Sequence, residues 1–347
     1  MENAAAIGAA CAAAAGAAWY CCSSGSAPPD DSEALASTLH WGSPQNHSFF
    51  FIKPHAHNEA VEALVRERLA ASQIDVVSSG TISAAAIDDG GLIDKHYGTL
   101  AERAMDVPPA ELPVWSEAKA AEFEKLAGQS HTAAAAAGQL LNLRQAQALL
   151  PTASPKEIER QWRAGECLKL APGTYVAKLS EAKVWVVNGF YASMRAKFTD
   201  AELNPAGIKW LQLRWDESAL TWQAFRDDVV GATDCKAARE GSLRNLVLQR
   251  WEALGLRAAP TGSENGVHAS ASPLEAAAER AIWLRAGGRY DGDPLGEAWK
   301  AAGLPMDMLT RWSTNPEEVV AGKDAANVFD VVEGCDTSEL LRLALAS

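Results

Sequence analysis

The spacing of apolar residues changes along the chain, and it predicts an alternation of strands and helices. Ser48 to Ile52, SFFFI, is a short apolar run that reads as a buried strand. Asn58 can cap a helix through NEAVEALVRERLAAS, where Val61, Leu64, Val65 and Leu69 share one face. IDVVSSGTI follows as a strand, and LIDKHYGTLAERAM lies in a helical region. From about Asp106 to Lys183 the chain is alanine-rich and helical in character, with breaks at Pro151 and Pro155, and it reads as an insertion. The alternation resumes in WVVNGFYASMRAKF, in a strand IKWLQLRW, in a helix TWQAFRDDVVGATD ending near Gly231, and in a helical piece around LRNLVLQRWEAL.

Strand-like residues then precede His268, and Ser272, Pro273 and Glu275 fit the start of a helix: a hydroxyl at the N-cap, proline at the first helical position, a carboxylate three residues after the cap. Leu274, Ala277, Ala278, Ala281, Ile282 and Leu284 should face inward while Glu275 and Glu279 share another face, with His268 in the loop before the helix. That helix end carries partial positive charge and suits an anion. One or two helices are expected between Gly287 and Ser347. Strands and helices mixed at this spacing predict an α+β fold with helices packed on an antiparallel sheet, a mainly helical insertion and a helical C-terminal tail.

Composition narrows the partners. With 31 basic and 44 acidic residues the net charge is -13, which argues against nucleic acid or an anionic membrane as the main partner. The six cysteines show no metal-ligand spacing and read as reduced thiols of an intracellular, cytoplasmic protein. Residues 4–22 are uncharged and dominated by alanine, without the basic residues of a targeting signal, and read as a low-complexity leader; membrane contact is expected only if they act as an anchor.

Several short motifs occur in a fixed order: a strand followed by Lys53-Pro54, His96-Tyr97 after the second strand, Gly231-x-Thr233-Asp234, and Asn265-x-x-His268-x-Ser270 before the capped helix. In this order and spacing the chain resembles the nucleoside diphosphate kinases, over roughly Ser48 to Ala104 and Asn188 to Arg285. The resemblance implies a ferredoxin-like domain over 47–105 and 184–286, flanked by a leader and linker at 1–46, a helical insertion at 106–183 and a helical extension at 287–347. It also implies transfer of the γ-phosphate of ATP, or another nucleoside triphosphate, to His268 and on to a nucleoside diphosphate. Glu279 would orient the imidazole, and Ser270 completes the catalytic set. Lys53, Tyr97, Thr233 and Arg244 match phosphate-binding positions, and Asn265 matches the residue at the sugar hydroxyl and phosphate. Mg²⁺ would be held by the phosphates rather than by protein ligands.

The chain also departs from that pattern. Ala269 stands where the family has glycine. The aromatic that stacks on the base falls on Met105, or, in another alignment, on Phe190 or Tyr191. His55 follows Lys-Pro in place of an acidic residue, and with His57 forms a His-x-His pair that we do not assign to a metal. The phosphate-binding arginine falls on Asp227 if the helix is regular; a bulge would aim Arg226 inward instead. Two readings follow: an active phosphotransferase, alone or as a homo-oligomer, or a scaffold of the same fold serving a larger assembly.

Overall fold

The computed structural model describes residues 45–112, 116–171, 173–284 and 290–347. The leader lies outside them, so the expectation of an anchor at 4–22 does too. Among the described residues no helix is long and apolar enough to cross a membrane. The described chain divides into two compact units, one of residues 84–205 and one of 45–83 with 206–347.

The second unit begins with strand β1 (Gln45–Ile52), helix α1 (Glu59–Ala71) and strand β2 (Asp75–Ile82). Asn58 caps α1, its side chain accepting from the Val61 amide at 2.9 Å, and Val61, Leu64, Val65 and Leu69 are its buried face.

The 84–205 unit is mainly helical and also holds a small sheet. It carries short strands β3 (Leu140–Leu141), β4 (Cys167–Ala171), β5 (Thr174–Leu179) and β6 (Val184–Val187), in sheet order β3-β6-β5-β4. Helix α2 (Pro155–Ala164) packs on this sheet beside helix α3 (Tyr191–Thr199). Leu112, Phe123, Leu168, Leu170, Val176, Trp185 and Val187 form its own core. The boundaries expected at 106 and 183 are therefore corrected to 84 and 205, because residues on both sides of 106 and of 183 share this packing. The signal was legible: CLKLA and TYVAKL alternate with period two around Pro172-Gly173.

The chain returns through β7 (Ile208–Asp216), a turn of helix at Trp222–Ala224, a π-helix at Phe225–Val230, helix α4 (Leu243–Arg250), strand β8 (Val267–Ala269) and helix α5 (Pro273–Trp283). Sheet order β2-β7-β1-β8 with every neighbour antiparallel is the ferredoxin-like arrangement of a β-α-β-β-α-β chain. Central β1 is apolar on both faces because both are covered. Phe50 and Ile52 join the core under α1 and the π-helix. Phe49 and Phe51 face Trp283 of α5, with ring centroids 6.4 and 5.4 Å away.

Residues 290–347 are part of this unit rather than an appended extension. Helices α6 (Pro294–Ala301), α7 (Met306–Trp312), α8 (Val328–Val332) and α9 (Thr337–Leu345) share a core with Leu274 and Ala277 of α5 through Trp299, Trp312, Val332 and Leu340. Arg280 makes a bidentate ion pair with Asp293 at 2.7 and 2.9 Å, both side chains under 5% exposed. This covering keeps Arg280 buried, on a helix whose other side holds Glu279 against β8.

Candidate functional site

His268 lies within edge strand β8 and not in a loop, paired with Phe51 of β1. Its ring stacks on Phe51 with centroids 4.5 Å apart. Ser272 fixes the start of α5 by accepting from the Glu275 amide at 3.1 Å. The helix then carries Glu279 back toward the strand, where Oε1 is 2.7 Å from His268 Nε2. The other carboxylate oxygen accepts from the hydroxyl of Ser270, which is fully buried beside the Phe49 carbonyl. Glu279 is 8% exposed and His268 18%, so this hydrogen bond is shielded from water. An ionised carboxylate only accepts, so Glu279 assigns the imidazole proton to Nε2 and the ring lone pair to Nδ1.

A second carboxyl stands one turn earlier. Glu275 Oε2 receives the Ala271 amide at 3.4 Å, and burial, reinforced by the Glu279 charge, pushes its pKa up to about 8. Arg226 and Glu333 also act on it electrostatically. Sequence reasoning placed Glu275 on the face of Glu279 without giving it a part in the site, and it missed Glu333, which only the packing of the C-terminal segment brings there.

Beyond β8 the charge is positive. Lys53 N bonds Gly266 O and Ser270 N bonds Phe49 O, so the alternate carbonyl of Val267 points away from β1. Arg244 takes it at 3.2 Å and the Gly231 carbonyl at 2.8 Å, while its Nε is buried without a hydrogen-bond partner. Burial pulls the Arg244 pKa down to about 10. Asn265, 1% exposed, donates to Thr233 O at 3.0 Å, and its Oδ1 is also buried without a partner. Two such orphaned atoms in one unit call for an explanation. Lys53 Nζ donates to Ser263 O at 3.1 Å.

The π-helix decides the arginine register. Gly231 N bonds Arg226 O, five residues back, at 2.9 Å. Asp227 is turned out and exposed, held by Gln223 at 2.7 Å. Arg226 is 23% exposed, paired with Glu333, and within electrostatic range of Arg244 and Glu275.

Comparison with known proteins assigns no relative. No family model matches the chain, and no curated protein matches it.

Lys53, Arg226, Thr233, Arg244, Asn265, His268, Ser270 and Glu279 all lie in the unit of β1. Tyr97, Met105 and Phe190 belong to the 84–205 unit. Tyr97 meets Tyr191 edge-on at 5.9 Å. Met105 and Phe190 are 7% and 2% exposed, and Phe190 is packed against Trp162 at 5.1 Å. Neither presents a face on which a base could stack, and Tyr191, fully buried, does not either. The alanine-rich context hid this, since a buried aromatic and a ligand-facing one look alike in sequence.

Proposed function

We propose that the protein is a phosphotransferase acting through a phosphohistidine at His268, with a nucleoside triphosphate as donor and a nucleoside diphosphate as acceptor. The observation that carries this reading is the buried Glu279 carboxylate, which binds His268 Nε2 and Ser270 at once. In the first half-reaction the Nδ1 lone pair attacks the γ-phosphorus, the bond to the bridging oxygen breaks and the nucleoside diphosphate leaves with that electron pair. Nε2–H stays on Glu279, whose charge balances the cationic phospho-imidazole. In the second, a terminal oxygen of another nucleoside diphosphate attacks phosphorus and the N–P bond breaks, returning the electron pair to Nδ1.

Charge spread over the phosphoryl oxygens needs fixed donors. Arg244, Arg226, Lys53, Thr233 and Asn265 would supply them, and Mg²⁺ carried by the nucleotide would offset part of the phosphate charge. Incubation with γ-labelled ATP and a chase with nucleoside diphosphate tests the reading. Acid-labile, base-stable label is expected on wild type, with transfer to the chase and none on His268→Ala. Label that persists in the variant, or never appears on folded wild type, overturns it. The Arg226–Glu333 ion pair favours the second reading, a catalytically weak scaffold, and absence of label is its expected outcome.

A further inference from the structure

The Arg226–Glu333 pair is built from two devices that local sequence does not require. The first is the π-helix, whose widened turn keeps Arg226 half-buried and turns Asp227 outward. Such turns cost backbone regularity and are frequent at functional positions. The second is the strap from Glu333 to Asp336. Its backbone and its aspartate are clamped: Gly334 N bonds Ala271 O at 2.9 Å, and the Asp336 carboxylate takes the Trp222 amide at 2.6 Å and Asn46 Nδ2 at 2.7 Å. Gly334, at φ +75°, lies so close that a Cβ would come within 2.4 Å of Gln223 Oε1 and 3.8 Å of Arg226 Nη1. None of these anchors uses the Glu333 side chain. The carboxylate can therefore rotate off Arg226 while the strap stays in place.

We propose that Glu333 is a built-in anion for Arg226, occupying at that guanidinium the place an anionic ligand's phosphate takes, so that ligand binding exchanges one for the other. This rests on the reading of the site as one that receives phosphate. Arg226 and Glu333 are each about a fifth exposed, 23% and 20%, so a carboxylate that leaves the guanidinium has water to enter. A phosphate with more than one charged oxygen is the stronger partner for a guanidinium. Glu333 thus tunes the affinity without abolishing it, and the nearby Glu279 carboxylate adds to the repulsion any incoming anion must overcome.

The test is titration calorimetry on the full chain with Mg²⁺-ATP and, separately, inorganic tripolyphosphate. Glu333→Gln is expected to tighten both at least fivefold and Arg226→Gln to weaken both at least fivefold. In the double variant Glu333→Gln is expected to have no further effect. Glu333→Asp, which keeps the charge but withdraws it by one methylene, should tighten binding by a smaller factor and guards against misfolding of the first variant. Unchanged or weaker binding in both Glu333 variants overturns the proposal. So does equal tightening when Arg226 is already absent, or failure of either probe to bind any variant. Labelling of His268 separates the two readings: label with no tightening sinks only the built-in anion, and tightening with no label sinks only phosphoryl transfer.

Discussion

At the scale of single residues, the chemistry turns on which carboxyl holds which proton. Glu279 acts as an acceptor for two groups, so Glu279→Gln keeps the shape but offers an amide where His268 and Ser270 need a carboxylate. The expected result is at least a tenfold slower labelling of His268 in single-turnover mixing with γ-labelled ATP, with the melting temperature changed by only a few degrees. Glu275 behaves in the opposite sense. Burial and Glu279 raise its folded pKa to about 8, above the ordinary carboxyl value that an unfolded chain has. The folded state then binds the extra proton, so the contribution is fully present below about pH 4 and is lost as pH rises through 8. Glu275→Gln should remove that loss, gaining about 4 kcal/mol at pH 8 and well under 1 kcal/mol at pH 4.5 in urea melts. An equal gain at both pH values would show that Glu275 is charged throughout.

At the scale of elements, two helix ends set the site. Ser272 caps α5 through the Glu275 amide, and Ser272→Ala should cost about 1 kcal/mol. Gly231 ends the π-helix at φ +91°, and a Cβ there would fall 2.3 Å from Ser242 Oγ. Gly231→Ala therefore combines a left-handed backbone with a clash, and should destabilise by at least about 2 kcal/mol while weakening ATP binding through Arg244, which donates to the Gly231 carbonyl. A stability loss under 0.5 kcal/mol in denaturant melts would mean that the turn relaxes freely. Here the sequence was partly legible. The Asn58 cap, the apolar face of α1 and the Ser272-Pro273 start of α5 are local hydrogen-bond and periodicity signals, and they lie where those signals put them. The π-helix was not readable as such, since FRDDVV carries no residue that breaks an α-helix.

For the molecule as a whole, the boundary of the 84–205 unit makes the sharpest prediction. Ala84 N bonds Pro205 O at 3.3 Å, and Ile82 pairs with Ile208 at the ends of β2 and β7. The two strands can therefore be joined by a short turn, and loop-closure entropy favours the exchange. Replacing Ala84–Pro205 by a Gly/Ser turn should leave a cooperative melt. Replacing only 106–183 should not, because it removes β3, β4, β5 and α2 and leaves β6 without its sheet and α3 without the helix it packs on. The opposite pattern in calorimetry would restore the narrower insertion. The 290–347 region makes the complementary case: Asp293→Ala strands Arg280 uncompensated in the core and should cost about 3–5 kcal/mol.

What the sequence determined by itself was whatever depends on near neighbours: the four strands of the β1 sheet, helices α1 and α5 with their caps, and the motif order that led to His268 and Glu279. Period and capping act over a few residues, so they are written locally. Tertiary structure alone decided the rest. It buried Glu279 against His268 and Ser270, turned Arg226 inward and Asp227 outward through a widened turn, and brought Glu333 to Arg226 across 107 residues of chain. It enclosed Met105 and Phe190 in a core. Whether a carboxylate is solvated or buried, and whether an aromatic faces a ligand or another ring, depends on surfaces contributed by distant segments, and no local pattern encodes which segment will arrive.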